Sequence, residues 1–266
     1  MTTEPWQLRM FRRSLKKRLK LKALLDQLGD LSGKRCLLVT CGDNNGALNW
    51  HFRECGGDWC WAELAAESID EMRAFLQEPV ALATAERLPF GDRQFDCVVS
   101  IDVLEHLEND GPFLSELHRV LRRDGRAVVT VPNGDPRLLA NRVKQLVGMT
   151  PRVYGHTRAG YTVAELRHSI EQRGLTAVSH GGYSRFFTEM VELVINFGYV
   201  FVLSGKKRQA APGPIAPASS AELKSHGIAY RLYSLAFPLM FCASKLDLFL
   251  PASTNNAVIV TAVKGS

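Results

Sequence analysis

Short apolar runs alternate with longer amphipathic segments from Gly33 onward, and this alternation constrains the fold of the 266-residue chain more than any other feature. Strands that alternate with helices predict a parallel sheet with right-handed crossover connections. The predicted strands are residues 35–40, 58–63, 80–83, 95–100, 126–132, 175–179 and 257–263. The predicted helices between them are 46–54, 67–76, 112–121 and 162–172. The sequence therefore predicts an α/β domain made of residues 33–185 and 255–266.

Residues 186–254 form an insert before the last predicted strand, where a sheet needs only a short connection. Two apolar segments, 186–203 and 228–250, flank a stretch rich in Pro, Ala, Gly and Ser at 205–220, which is typical of a flexible linker. Acidic residues interrupt the first segment, and Pro238 and several charges interrupt the second. Neither segment has the length and apolar character of a membrane span, so we expect a helical cap over the ligand site or an interfacial membrane contact.

Residues 1–32 form a basic N-terminal segment in which residues 6–28 are predicted to be one helix. An apolar stripe at helical spacing contains Leu8, Phe11, Leu15 and Leu19. The eight bases of this segment are Arg9, Arg12, Arg13, Lys16, Lys17, Arg18, Lys20 and Lys22. Two interpretations stay open: a solvated face on a helix packed over the domain, or a helix lying on an anionic membrane surface.

Without these eight bases the chain is nearly neutral, with 25 basic and 27 acidic residues. This balance argues against a nucleic-acid groove along the domain. The six cysteines form no CxxC pair and show no metal-ligand spacing with histidine, which favours reduced thiols and predicts no metal site. Because the N-terminus also lacks the apolar core of a secretory signal, we expect a cytoplasmic protein, at the inner face of the membrane if the basic segment binds lipid.

Candidate ligand-binding residues follow the predicted strands, because ligands bind at the carboxyl ends of the strands in an open parallel sheet. The first strand is followed by a loop containing Gly42 and Gly46, and the second ends at Glu63, about twenty residues later. A carboxylate at that distance is what a Rossmann-like site uses to accept hydrogen bonds from ribose hydroxyls.

The segment 85–106 carries the most specific pattern. It reads AERLPFGDRQFDCVVSIDVLEH, in which an acid and LPF precede FD, an apolar strand and a Glu105-His106 pair. This pattern resembles the class I S-adenosylmethionine (SAM)-dependent methyltransferases, and most closely the branch that contains the quinone-biosynthesis methyltransferases. The resemblance covers residues 33–182 and the last strand. It implies a Rossmann-like, mostly parallel seven-stranded sheet whose last strand is antiparallel, and it implies SAM as the methyl donor.

The resemblance also implies roles for individual residues. The glycine loop of the family matches at Gly42, but Leu38 stands at its acidic position, and Thr40 and Asn44 stand at two of its glycine positions. Asp43, in the same loop, could replace the missing acid in part. The residues expected to contact the donor are Thr40, Gly42, Asp43, Asn44, Gly46, Glu63, Leu64, Thr84, Ala85, Glu86, Ser100 and Asp102.

Two histidines are candidate catalytic groups. Histidine is the usual side chain for general base catalysis, so His106 could accept a proton from a hydroxyl acceptor, although a structural capping role for the Glu105-His106 pair is favoured. His156 lies in the segment 154–162, YGHTRAGYT, which is similar to a stretch in many bacterial members of the family. That similarity makes His156 and Tyr161 candidate acceptor-site groups, with Arg158 for an anionic substrate group; a plain loop before a capped helix is an equal alternative.

Taken together, these features predict a SAM-dependent methyltransferase acting on a hydrophobic or lipid-linked small molecule or on a saccharide hydroxyl. A protein or nucleic-acid acceptor is disfavoured because the sequence shows no basic groove and no base-stacking set of aromatic residues. The alternative is a non-catalytic binding or scaffold protein whose donor site has degraded. Leu38, Thr40 and Asn44 favour this alternative, whereas Glu63 and the intact 85–106 segment argue against it.

Overall fold

One seven-stranded sheet organises the part of the chain that the computed structural model describes, residues 4–42, 45–198 and 227–265. The strands are β1 Arg35–Thr40, β2 Asp58–Glu63, β3 Val80–Leu82, β4 Phe95–Ile101, β5 Leu121–Pro132, β6 Leu175–Tyr183 and β7 Ala257–Lys264. Their order across the sheet is β3-β2-β1-β4-β5-β7-β6. Strands β1 to β5 pair in parallel, and β7 runs antiparallel between β5 and β6. The predicted Rossmann-like architecture with an antiparallel last strand is confirmed.

Nine described helices accompany the sheet: α1 Trp6–Arg13, α2 Leu15–Leu28, α3 Ala47–Glu54, α4 Ala66–Leu76, α5 Gly111–Val120, α6 Leu139–Leu146, α7 Val163–Glu171, α8 Phe186–Phe197 and α9 Gly227–Ser244. Short 3₁₀ turns at Leu104–His106, Pro151–Tyr154, Lys245–Phe249 and Ala252–Thr254 complete the described elements. The sequence predicted α3, α4, α5 and α7 to within about one residue at each end. It gave no signal for α6, a short helix in the segment after β5.

The start of β5 differs from the prediction by five residues. The run from Arg122 to Gly125 has the composition of a helix stop, but it lies inside the strand, where Phe95 of β4 already pairs with Leu121. The pairing register shifts between Phe95 and Cys97, and Asp124 has a positive φ of 59°. The turn-like residues therefore form an irregularity within the strand.

The N-terminal segment contains two helices, so the prediction of one continuous helix over 6–28 was wrong. Ser14 separates them with an extended conformation, and its hydroxyl accepts a hydrogen bond from the Lys17 backbone at 3.4 Å. This is the geometry of an N-cap residue, which satisfies one of the free N–H groups at the start of α2. A serine within a run of bases and leucines gave no clear break signal in the sequence.

Helices cover both faces of the sheet. On one face, Val98 and Val129 belong to a buried cluster with residues of α5 and α7. On the other, Leu38 and Val99 pack with residues of α2, α3 and α4, including the fully buried Leu24 of α2. Strands buried on both faces explain the nearly continuous apolar runs in the sequence.

Helices α1 and α2 are part of this packing. Phe11 and Leu15, two members of the predicted apolar stripe, are buried, and the Phe11 ring lies 4.3 Å from the His51 ring of α3. The stripe is thus used to pack the N-terminal segment onto the domain, as the first of the two interpretations expected.

The insert continues this helical layer at one end of the sheet. Helix α8 packs against α2, α6, α9 and the 3₁₀ turn Lys245–Phe249. The predicted linker at 205–220 lies outside the described residues. Among the helices that the structure describes, none has both the length and the apolar character required to cross a bilayer.

Candidate functional site

The ends of β1 and β2 are joined through the carboxylate of Glu63. Thr40 and Glu63 are direct partners in the parallel register, and the Thr40 hydroxyl donates to Glu63 Oε2 at 2.6 Å. The backbone amides of Gly42 and Ala65 both donate to Oε1 at 2.8 Å. Burial raises the pKa of the Glu63 carboxyl, and these three donors oppose that rise. Glu63 therefore fixes the loops that follow both strands.

This arrangement bears on the predicted ribose contact. A carboxylate offers about four lone-pair positions, and the protein already uses three of those of Glu63, whose side chain is fully buried. The threonine at the family's glycine position supplies one of the three donors. The ribose contact stays a prediction, to be made through the remaining position or after the Thr40 hydroxyl moves.

The loop between β1 and α3 retains two glycines in the left-handed region of φ. Gly42 has φ of 77° and Gly46 has φ of 88°. A Cβ on Gly46 would lie 2.8 Å from the Phe75 ring, so packing also requires glycine there. Asn45 accepts a hydrogen bond from the Ala47 backbone at 3.2 Å, at the start of α3. Asp43 and Asn44, both predicted to contact the donor, lie outside the described residues.

The residues predicted to surround adenine lie at the neighbouring strand ends. The Leu64 amide donates to the Thr40 carbonyl at 3.0 Å, which holds Leu64 beside the end of β1. Thr84 begins a turn in which its backbone and the Arg87 backbone exchange hydrogen bonds, and its hydroxyl accepts from the Arg87 amide at 3.1 Å. Ala85 is half-buried and Glu86 is exposed within that turn.

At the end of β4, the Asp102 carboxylate forms an ion pair with the Lys20 ammonium group of α2.

 The Asp102 backbone has a positive φ of 50°, and its amide donates to the Thr130 carbonyl at 3.0 Å. The Lys20 and Asp102 side chains are largely shielded from solvent, so dissolved salt screens their ion pair only weakly. The sequence counted Lys20 among the solvated bases, and only the packing of α2 places it here. Ser100, in contrast, is fully buried inside β4, where its register partners are Val39 and Val129.

Glu105 is the site residue that sequence reasoning missed. Its side chain is fully buried, and within the described part of the chain neither carboxylate oxygen has a hydrogen-bond partner. Burial, and then the nearby Asp102 carboxylate, raise the pKa of Glu105 well above its ordinary value. An acid next to a histidine in a short turn has no sequence signature of burial, so this feature needed the structure.

The segment 154–162 is held against the turn that contains Glu105 and His106. The His106 and His156 rings meet edge to face with centroids 4.8 Å apart. His106 Nδ1 lies 3.1 Å from the Gly155 carbonyl, so Nδ1 carries the proton and Nε2 is left as the acceptor. The Thr157 amide donates to the Glu105 carbonyl at 2.8 Å. The structure thus brings together the two histidines that the sequence proposed as catalytic.

Tyr161 and Arg158 of the same loop contact each other, and Tyr161 also contacts Asp110. The buried Tyr161 hydroxyl donates to Asp110 at 2.8 Å, and the Arg158 guanidinium stacks 4.8 Å above the Tyr161 ring. Gly160 has φ of 115°, and a Cβ there would lie 2.1 Å from the Pro132 carbonyl. These contacts give the loop a fixed position beside the end of β5 and leave His156 as its half-buried polar group nearest His106.

Glu105, His106 and His156 each have one potential metal-ligand atom, a carboxylate oxygen or a ring nitrogen, within 4.8 Å of the other two. A carboxylate with two imidazoles can accept a proton, and it is also a donor set that divalent metal ions bind. No metal site was predicted from the sequence, because the spacing of cysteine and histidine along the chain does not show this set of three residues. The convergence arises from the contact between the turn after β4 and the loop after β5.

The strand order, together with polar residues gathered at the carboxyl edge of the parallel strands, defines a Rossmann-like fold of the methyltransferase type. A family model described as a methyltransferase domain matches residues 37–129. This match and the ubiquinone biosynthesis O-methyltransferase described below support a class I SAM-dependent methyltransferase family.

Two curated relatives are similar in sequence. A ubiquinone biosynthesis O-methyltransferase of Ruegeria is 24% identical over 160 residues, which cover 57% of this chain and 64% of the relative. An uncharacterized protein of Methanocaldococcus jannaschii is 39% identical over 69 residues, which cover 26% of this chain and 30% of the relative. The chain therefore spans less than two thirds of the length of either relative.

Solved structures share the fold at low identity. A phosphoethanolamine N-methyltransferase of Haemonchus contortus, in complex with S-adenosylhomocysteine, gives a TM-score of 0.57 at 15% identity and covers 93% of this chain and 53% of its own. Geranyl diphosphate C-methyltransferase of Streptomyces coelicolor, in complex with Mg²⁺, geranyl diphosphate and S-adenosylhomocysteine, gives 0.54 at 12% identity, with coverage of 93% and 77%.

Proposed function

We propose that this protein transfers the methyl group of SAM to a hydroxyl group of a hydrophobic or lipid-linked small molecule or of a saccharide. The observation that carries the proposal is the contact between the turn after β4 and the 154–162 loop, which brings His106 and His156 together beside the donor edge of the sheet. The match of residues 37–129 to the methyltransferase-domain model supports SAM as the donor.

In this proposal the donor binds across the ends of β1, β2 and β4. Glu63 holds the two loops that would enclose the donor, and Asp102 and Glu105 place carboxyl groups near the end of β4. Of these two groups, the Asp102 carboxylate favours a cationic sulfonium by electrostatic attraction. Turns between Leu64 and Glu86 line the adenine side.

Methyl transfer requires the acceptor oxygen to approach the methyl carbon in line with the carbon–sulfur bond. The oxygen–carbon bond forms as the carbon–sulfur bond breaks, and S-adenosylhomocysteine leaves without the positive charge. The acceptor proton passes to Nε2 of His106 or to the imidazole of His156. The protein's main contribution is to orient the acceptor and remove this proton.

The insert, the comparisons and the N-terminal segment support the proposed class of acceptor. The insert supplies apolar helices beside the site, and the named relatives and neighbours include a ubiquinone biosynthesis enzyme and an enzyme for geranyl diphosphate. The basic N-terminal segment supports a cytoplasmic protein that meets its acceptor at an anionic membrane surface. No nucleic-acid acceptor is proposed.

Calorimetric titration with S-adenosylhomocysteine tests the donor site, and single-turnover methylation of candidate phenols and polyprenyl alcohols tests the chemistry. His106→Gln and His156→Gln should retain ligand binding while methylation slows by about a hundredfold, the usual effect of losing a general base. His168→Gln, on the exposed side of α7, is the matched control.

A non-catalytic binding protein is the second candidate. Its support is the Thr40 hydroxyl, which stands at a glycine position of the family and occupies the Glu63 carboxylate. This candidate predicts no heat with S-adenosylhomocysteine at millimolar concentration. That result would remove the enzyme proposal.

A further inference from the structure

The end of the insert presents large apolar side chains to solvent. We define the apolar ridge as Leu235, Leu239, Leu246, Leu248 and Phe249, whose exposed fractions lie between 43 and 85%. Leu235 and Leu239 are one helical turn apart on α9, and the other three belong to the 3₁₀ turn that follows it. Single exposed apolar residues are ordinary, but a contiguous set marks an interaction surface.

The ridge is held outward by a buried anchor. Asp247, between Leu246 and Leu248, is buried, and its carboxylate accepts hydrogen bonds from the backbone amides of Arg185, Phe187 and Thr188 at 2.8–3.1 Å. These amides lie at the start of α8, where free N–H groups need acceptors. Because the anchor fixes the turn, its apolar neighbours cannot fold back into the core without breaking three hydrogen bonds.

Basic residues lie beside the ridge. Phe241 of α9 is approached by two cations, the Arg18 guanidinium at 5.8 Å and the Lys245 ammonium at 4.6 Å from the ring centroid. The Tyr233 hydroxyl donates to the Arg13 carbonyl, which joins α9 to the end of α1. Arg18 of the N-terminal segment therefore lies close to Lys245, which belongs to the turn that carries Leu246, Leu248 and Phe249.

We propose that the apolar ridge is the membrane-contacting surface of this protein and that it docks on an anionic phospholipid bilayer. The inference deepens the proposed function, on whose membrane-surface acceptor it rests. Apolar side chains projecting beside a cluster of bases match the apolar interior and the anionic headgroups of such a surface. Phe11 and Leu15 of the N-terminal stripe, in contrast, are buried in the domain. In this proposal the bases supply the electrostatic attraction, and the ridge supplies the apolar side chains that enter the bilayer surface.

Vesicle flotation of the full chain tests the ridge. We expect binding to phosphatidylcholine vesicles that contain about one third phosphatidylglycerol, with release near molar salt because the Debye length then falls to about 3 Å. The double variant Leu248→Ser/Phe249→Ser should bind at least about tenfold more weakly, because two apolar wedge residues are lost. The matched control is Leu82→Ser/Val178→Ser, which alters exposed apolar residues at the two edges of the sheet.

The charge contribution has its own pair of variants. Arg18→Gln/Lys245→Gln should weaken binding to the anionic vesicles by about tenfold, because each base near an anionic surface contributes about 1 kcal/mol at most. Lys34→Gln/Arg123→Gln removes two exposed bases at the amino edge of the sheet and should leave binding unchanged.

Three outcomes overturn the inference: no vesicle binding by the wild-type protein, equal binding by the ridge and control variants, or ridge-dependent self-association in sedimentation without vesicle binding. S-adenosylhomocysteine titration on the same samples separates this failure from failure of the proposed function. Ligand binding without vesicle binding removes only the ridge inference. Vesicle binding without ligand binding removes only the enzyme.

Discussion

At the scale of single residues, Thr40 and Glu63 show how a departure from the family pattern is accommodated. The glycine position holds a threonine, and its hydroxyl becomes one of three donors to a fully buried carboxylate. The sequence identified both positions but could not show that they bond to each other. That contact depends on the register of β1 and β2, which pairs them directly.

We expect Glu63→Gln to weaken S-adenosylhomocysteine binding by at least about tenfold. The amide cannot accept from all three donors, and the loops after β1 and β2 lose a charge-assisted hydrogen bond of roughly 1.5–3 kcal/mol. Calorimetry measures the change, with Asp70→Asn on the exposed face of α4 as the control. A folded Glu63→Gln variant with wild-type affinity would show that Glu63 does not shape the donor site.

Lys20 should control the preference between donor and product. SAM carries a sulfonium charge that S-adenosylhomocysteine lacks, and Lys20 neutralises the Asp102 carboxylate at the end of β4. Lys20→Met should therefore strengthen SAM binding relative to S-adenosylhomocysteine by about threefold to tenfold, as expected for a unit charge acting over several ångströms in a protein.

The ratio of the two dissociation constants is the measurement for Lys20, because general loosening of the site would weaken both ligands together. Lys22→Met, an exposed base on the same helix, should leave the ratio unchanged. An unchanged ratio in the Lys20 variant would place Asp102 away from the sulfonium.

At the scale of elements, Glu189 joins α2, α6 and α8. The Lys16 ammonium lies 2.9 Å from its carboxylate, and Lys144 and Ser184 also bond to it. Burial alone would raise the pKa of the Glu189 carboxyl, but the two ammonium groups hold it well below its ordinary value. The sequence showed Glu189 only as a charge that interrupts an apolar segment.

Glu189→Gln should lower the free energy of unfolding by about 3–5 kcal/mol near pH 7, because two buried ammonium groups lose their partner. Since the folded pKa lies below the unfolded value of about 4.5, this stabilisation is present above that pH and is lost as the pH falls below it. Urea denaturation should therefore show a smaller difference between wild type and variant at pH 3 than at pH 7. A constant difference would contradict the ion network.

At the scale of the whole molecule, the strand and helix pattern was predictable because it follows from local apolar periodicity. Strands β1 and β2 have their predicted bounds. The predicted start of β5 was five residues too late, because Asp124 and Gly125 have the composition of a helix stop. The convergence of Glu105 with His156, and of Lys20 with Asp102, joins residues far apart in the chain. Such contacts depend on the packed fold, which periodicity does not encode.

Removal of residues 1–22 should lower the melting temperature by about 10 °C or more. The deletion takes away the buried Phe11 and Leu15 and leaves Glu189 and Asp102 without their α2 partners. Differential scanning calorimetry measures the shift, and removal of residues 1–5, which precede α1, is the control. An unchanged melting temperature would mean that the N-terminal helices are detachable from the domain.

The anchor at Asp247 has a consequence for how the chain tolerates change. Arg185, where the chain leaves the sheet domain, donates from its backbone to Asp247 at 3.0 Å and from its side chain to Asn255 at 3.1 Å, just before β7. The start and the end of the insert are thus held together by these hydrogen bonds, so the residues between them form a closed loop. Loop-closure cost grows only slowly with length, so a change in the length of the insert should alter the free energy of unfolding only slightly. The length of the insert is therefore a feature that can vary without rearrangement of the sheet.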